Sequence, residues 1–134
     1  MKGLLHSLLL FFAFVFCLNS CSTPESDLCG TWKIVDYQTD LPLDADTKQV
    51  ILEMQSSSVF EFSKDKQFTQ TVNGVTKKGV WELLADGRQL KQQLQDEQGT
   101  TVVTELISLT STEMVQKTHD AGSNSTQIIT LKKQ

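Results

Sequence analysis

The sequence predicts an all-β fold: an eight-stranded antiparallel up-and-down (meander) barrel with one short helix between strands 1 and 2. Three observations predict it. After residue 28, runs rich in β-branched and aromatic residues recur at even spacing, each bounded by a turn signal. Only one stretch, just past residue 45, has a convincing helical start. Finally, 38 of the 114 residues after position 20 are apolar, matched by 38 Ser, Thr and Gln, a balance that suits a small half-wetted sheet better than a large helical core.

Taken in order, the first strand spans 31–39 (TWKIVDYQT) and is broken by Leu41-Pro42-Leu43-Asp44. Asp46 is the expected helix N-cap, with Gln49 at capping-box spacing, and Val50 and Met54 form an apolar face beside Ile51. Ser56-Ser57-Ser58 ends the helix. In 58–63, Phe60 and Phe62 share one face and Val59 and Glu61 the other. Lys64-Asp65-Lys66 turns the chain into 67–72. Asn73-Gly74 follows, the strongest hairpin signal, because both residues tolerate positive φ. Strands at 75–84, 89–95, 100–109, 114–118 and 126–132 follow, separated by turns at 85–87, 97–99, 111–113 and 120–125. Every link is short enough for an antiparallel hairpin. A meander of eight strands buries its edges only by closing on itself, so Ile129 in the last strand is expected to pair near Ile34 in the first. The interior of such a barrel is either filled by side chains or holds one small ligand.

The amino-terminal segment carries an address. Lys2 gives a positive start, and an apolar stretch from Leu4 to Leu18 is unbroken for 11 residues from Leu8. That length is short of the ~20 residues a spanning helix needs and matches a signal-peptide core. Leu18-Asn19-Ser20-Cys21 then resembles a bacterial lipobox. The resemblance implies cleavage before Cys21 and lipidation of Cys21. The expected organisation is a signal peptide at 1–20, a polar lipidated tether at 21–27 and a barrel domain at 28–134. The expected place is the bacterial envelope, anchored to the outer membrane on either its periplasmic or its surface side. With Cys17 removed and Cys21 acylated, Cys29 is left unpaired.

Gly30-Thr31-Trp32 opens the first strand. With the helix after strand 1, Phe60-Glu61-Phe62-Ser63-Lys64-Asp65-Lys66-Gln67-Phe68, the second Gly79-Val80-Trp81, Asp86-Gly87 and Glu105-Leu106-Ile107-Ser108-Leu109, it resembles the lipocalin-like domain of bacterial lipoproteins, over residues 28–132. The resemblance implies a Trp32 ring plugging the closed end, with a cation from the last strand, Lys132 or Lys133, lying over it. Gly30 and Gly79, each two residues before a tryptophan, share its face and leave room for the ring.

The function classes narrow accordingly. Formal charge is −4, and −5 without Lys2, which argues against nucleic-acid binding through a basic face. No nucleophile–base pair, paired histidines or phosphate loop stands out, so a non-enzyme without cofactor or metal is expected. The alternation places Phe60, Phe62, Phe68, Trp81, Leu83, Leu90, Leu94 and Ile107 inside as an apolar lining, with Gln70, Lys77 and Gln92 in the same phase as polar anchors or mouth positions. The leading expectation is a membrane-anchored barrel binding a small hydrophobic or amphipathic ligand. The alternative is a filled barrel that docks to an envelope protein as an accessory or inhibitor, and a lumen below ~300 Å³ would favour it.

Overall fold

The computed structural model describes residues 22–134. A five-residue helix, α1 (Pro24–Leu28), leads into β1 (Gly30–Thr39) and then the longer helix α2 (Ala45–Ser56). Seven strands follow: β2 (Val59–Phe62), β3 (Gln67–Val72), β4 (Val75–Leu84), β5 (Gln89–Leu94), β6 (Thr101–Leu109), β7 (Glu113–Asp120) and β8 (Ser125–Lys133). All eight strands pair with their sequence neighbours in antiparallel register, and β8 pairs back onto β1, closing the barrel. The seam runs through Trp32↔Lys133, Ile34↔Leu131 and Tyr37↔Ile129. Closure joins the first and last strands, and the short β2 leaves residues 34–39 of β1 without a ladder partner on that side, where α2 packs instead.

The hairpins place the two ends of the barrel. The start of β1, the turns at 63–66, 85–88 and 110–112 and the end of β8 lie at one end, with α1. The other end carries α2 and the turns at 73–74, 95–100 and 121–124. Asn73 (φ 49°) and Gly74 (φ 78°) form the tight left-handed turn their sequence signals.

The core follows strand alternation with two interruptions. Trp32 and Ile34 point inward on β1, then a bulge between Ile34 and Asp36 resets the phase so that Tyr37 is buried and Val35 lies outside. On β6 a second bulge, between Leu106 and Ser108, leaves Thr104 and Leu106 inside and turns Ile107 to solvent at 51% exposure. Ile107 is therefore not a lining residue, contrary to the unbroken alternation, and Leu109 packs on the core in its place. Phe62, Phe68, Trp81, Leu90, Met114 and Leu131 complete the core.

Helix α2 differs from its sequence reading in two respects. Its N-cap is Asp44, whose carboxylate accepts from the Thr47 backbone N–H at 2.7 Å; Asp46 lies inside the first turn, and Gln49 donates to Glu53 rather than closing a capping box. The face against the barrel carries Leu52, so Val50 and Met54 are exposed at 55% and 60%. Nor is the stretch after Ser22 wholly tether. Thr23 and Ser26 form a reciprocal capping box and begin α1, whose Leu28 is fully buried.

Candidate functional site

The interior has two compartments. In the closed half, the indole of Trp32 donates to the Leu28 carbonyl at 2.8 Å, and Lys133 Nζ lies 4.9 Å from the ring centroid. Trp81 repeats the arrangement: its indole donates to the Ser63 carbonyl at 3.0 Å and Lys66 Nζ lies 4.3 Å from its centroid. Each indole N–H is thus satisfied at the rim of the closed end while the ring fills the interior. Phe62 meets Trp81 edge-on at 6.2 Å and Phe68 at 6.1 Å. An added Cβ on Gly79 would overlap the Phe68 ring, 2.6 Å from Cε1 and 2.9 Å from Cζ, so the bare backbone of β4 is part of this packing. Phe62, Phe68, Trp81 and Leu90 do share one interior, as their phase requires, yet they are at most 3% exposed and fill space against one another. Gly30, also stripped of a side chain, has the Lys133 aliphatic stem where its Cβ would be, at 3.1 Å.

Toward the mouth the same strand phases change character. On β3 the inward series runs Phe68, Gln70, Val72; on β4, read the other way, Trp81, Gly79, Lys77, Val75; on β5, Leu90, Gln92, Leu94. Gln70, Val72, Val75 and Lys77 line a cavity of ≈ 210 Å³ that opens widely to solvent, since Val75 is 63% exposed and Lys77 is exposed as well. A rim groove of ≈ 370 Å³ adjoins it at Lys77, bounded also by Thr76, Lys78, Leu94, Gln95 and Asp96. Asp96 is held in place by the Thr100 backbone and hydroxyl, and these hydrogen bonds keep its carboxyl below the usual value of 3.8. Phe60 and Leu94 are half-buried, between the packed half and the mouth. Gln70 and Lys77, read from sequence only as alternatives, meet at the mouth cavity. Cys21 lies outside the described residues.

Two contributors escaped the sequence reading. Leu52 of α2 packs against the core, and three residues on, the Gln55 Oε1 is buried without a hydrogen-bond partner among the described residues. Neither follows from the spacing of Val50 and Met54: Leu52 sits in the apolar run Val50-Ile51-Leu52, which does not say which face of the helix is buried. Among the described residues no three His, Cys, Asp or Glu side chains converge as metal ligands.

No protein-family model matches the chain, and no curated protein matches it in sequence. Solved structures do resemble it. A lipocalin-like protein from Bacteroides uniformis superposes with a TM-score of 0.50 at 18% identity, over 77% of this chain and 96% of that one. A DUF4847 family protein from Bacteroides vulgatus gives 0.49 at 12% identity, over 75% and 90%. A bovine odorant-binding protein in complex with a selenium-containing odorant gives 0.48 at 16% identity, over 87% and 76%.

Proposed function

We propose that this lipocalin-like barrel is a lipid-anchored binding module of a bacterial envelope, holding a small amphipathic molecule in its mouth half. One observation carries the reading: beyond the packed aromatic block the inward-phase residues of β3 and β4 become Gln70 and Lys77 beside Val72 and Val75, which together line the mouth cavity. A cavity lined by both classes buries an apolar tail at ~25 cal/mol per Å² while a few polar groups fix its orientation. The cavity of ≈ 210 Å³ is smaller than the ~300–1,000 Å³ of drug-sized sites, so the ligand is small or leaves its head group in the groove beside Lys77.

The anchor rests on the Leu18-Asn19-Ser20-Cys21 sequence. Two or three acyl chains at Cys21 would hold the protein stably, where one chain alone is marginal. Metabolic labelling with a palmitate analogue is expected to tag the wild type and not Cys21→Ala; equal labelling of both sinks the anchor.

The filled closed half and the small mouth volume favour a second reading, in which the barrel docks to an envelope protein. Native mass spectrometry of the 28–134 domain purified from its source separates the two. A co-purifying small molecule supports the carrier. A clean apo mass after mild extraction transfers the argument to the docking module.

A further inference from the structure

Helix α1 belongs to the closed end of the barrel rather than to a linker. Glu25 pairs with Lys66 of the β2–β3 turn at 2.8 Å. The Asp27 carbonyl accepts from Lys133 Nζ, at the end of β8, at 2.7 Å. The Leu28 carbonyl accepts from the Trp32 indole of β1. Pro24 lies so close to Gly87, in the β4–β5 turn, that an added Cβ there would sit 2.9 Å from the Pro24 Cβ. Five residues thus meet four separate segments of the barrel, with Leu28 fully buried, so the helix is part of the domain rather than a free linker. The residue before them is committed too: Thr23 accepts from the Ser26 N–H and donates its own N–H to the Ser26 hydroxyl. Only Ser22 separates Thr23 from Cys21. Two residues of extended chain span at most about 7 Å.

We infer that the barrel stands closed end down on the bilayer. This rests on the reading that Cys21 carries lipid. The occupant of the face formed by α1 and the turns at 63–66, 85–88 and 110–112 is the lipid headgroup layer, because the anchor point lies within about 7 Å of a helix docked at that end. The turns carry Lys64, Asp65, Asp86 and Arg88, all exposed, so the face is close to neutral and is held by the anchor rather than by charge. At ~3.3 Å of rise per residue and a strand tilt of ~40°, the length of β1 sets the mouth about 25 Å from the headgroups. Ligands and protein partners therefore reach the mouth from the aqueous side.

The test uses the full lipidated protein in vesicles of phosphatidylethanolamine and phosphatidylglycerol, in a Cys29→Ser background with Cys29→Ala as a second background should the first fold poorly. A fluorophore is placed through Lys64→Cys at the closed end or Gln98→Cys at the mouth, and is read against lipid carrying a nitroxide headgroup. Quenching is expected to be several-fold stronger at position 64 than at 98. Inserting fifteen Gly/Ser residues between Ser22 and Thr23 is expected to erase the difference. Vesicle-bound protein with equal or reversed quenching overturns the orientation and leaves the anchor standing. Protein that stays off the vesicles and lacks acyl mass on Cys21 removes the anchor, and the orientation falls with it.

Discussion

Gly79→Ala is the sharpest test of how the closed half is built. A Cβ at this position would come closer to the Gln93 carbonyl oxygen than real Cβ atoms come to any neighbour, as well as overlapping the Phe68 ring. The ring can rotate at some cost in rotamer energy. The carbonyl belongs to the backbone of β5, across the Gly79↔Leu94 pairing, and moves only if the β4–β5 ladder opens. Overpacking a core by one methyl costs about 1–3 kcal/mol, and a backbone obstacle puts this case at the upper end, about 3 kcal/mol. For a domain of this size that lowers the melting temperature by on the order of 10–20 °C. Urea unfolding followed by circular dichroism and tryptophan fluorescence measures it, as a lower midpoint with an unchanged slope. Gly74→Ala is the control. That glycine has nothing within 4 Å of an added Cβ but a φ of +78°, so only backbone strain of about 1 kcal/mol is expected. A Gly79→Ala protein within 1 kcal/mol of wild type refutes the packing argument. Full rescue by Phe68→Leu would show that the ring, and not the carbonyl, is the obstacle.

Other consequences follow from the same geometry. Lys133→Met keeps the aliphatic stem beside Gly30 but removes both the charge over Trp32 and the hydrogen bond to Asp27, and is expected to cost about 1–3 kcal/mol by urea titration. Leu106→Ala is expected to cost about 2–4 kcal/mol and Ile107→Ala less than about 1, an ordering that reverses if the β6 bulge is absent in solution. Asp44, Asp96 and Asp120 are held below the usual carboxylate value of 3.8 by hydrogen bonds from Thr47, Thr100 and Ser123 respectively. Stability from a depressed carboxylate is complete above its unfolded value and is lost as pH falls through the folded one. The melting-temperature gap between wild type and Asp96→Asn is therefore expected to be flat above pH ~5 and to shrink below pH ~4; a gap that widens in acid contradicts the assignment.

Much of the barrel was legible because alternation, turn chemistry and strand count are local properties. Phe60/Phe62, Trp81/Leu83 and Leu90/Leu94 each announce a face, and Asn73-Gly74 announces its turn. What was illegible depends on pairing between strands. The bulges at Val35 and Ile107 follow from fitting each strand to its neighbours around a closed circumference, and neither residue differs in type from its buried neighbours Ile34 and Leu106. The α2 cap fell two residues from its expected place because Asp44 and Asp46 are chemically equivalent caps and only the path from Pro42 decides between them. The residues at 24–28 look polar in isolation. Their single buried side chain, Leu28, and their carbonyls find partners only once Trp32, Lys66 and Lys133 have been gathered at one end. At the mouth, phase alone brought Gln70 and Lys77 to one wall.

The division of the interior also gives the carrier and the docking module different signatures. Phe68 is the residue on the boundary: on β3 it precedes Gln70 in the inward series, and its ring lies over Gly79. Truncating it in a packed core is expected to cost about 3–5 kcal/mol. The same substitution should deepen the mouth cavity, because the space vacated lies directly behind the Gln70–Lys77 wall. If the mouth holds an apolar tail, Phe68→Ala will favour longer tails than wild type does. A series of fluorescent amphiphiles of increasing chain length, titrated into both proteins, measures this; the optimum is expected to lengthen in the variant even as its stability falls. A docking module with a filled interior gives the opposite signature: wild type binds no member of the series at any length, and the variant either stays empty or acquires a binding mode its parent lacks. An unchanged optimum in two proteins that both bind would place the ligand outside the barrel, in the groove by Lys77 and Asp96, where the floor of the lumen has no influence on it.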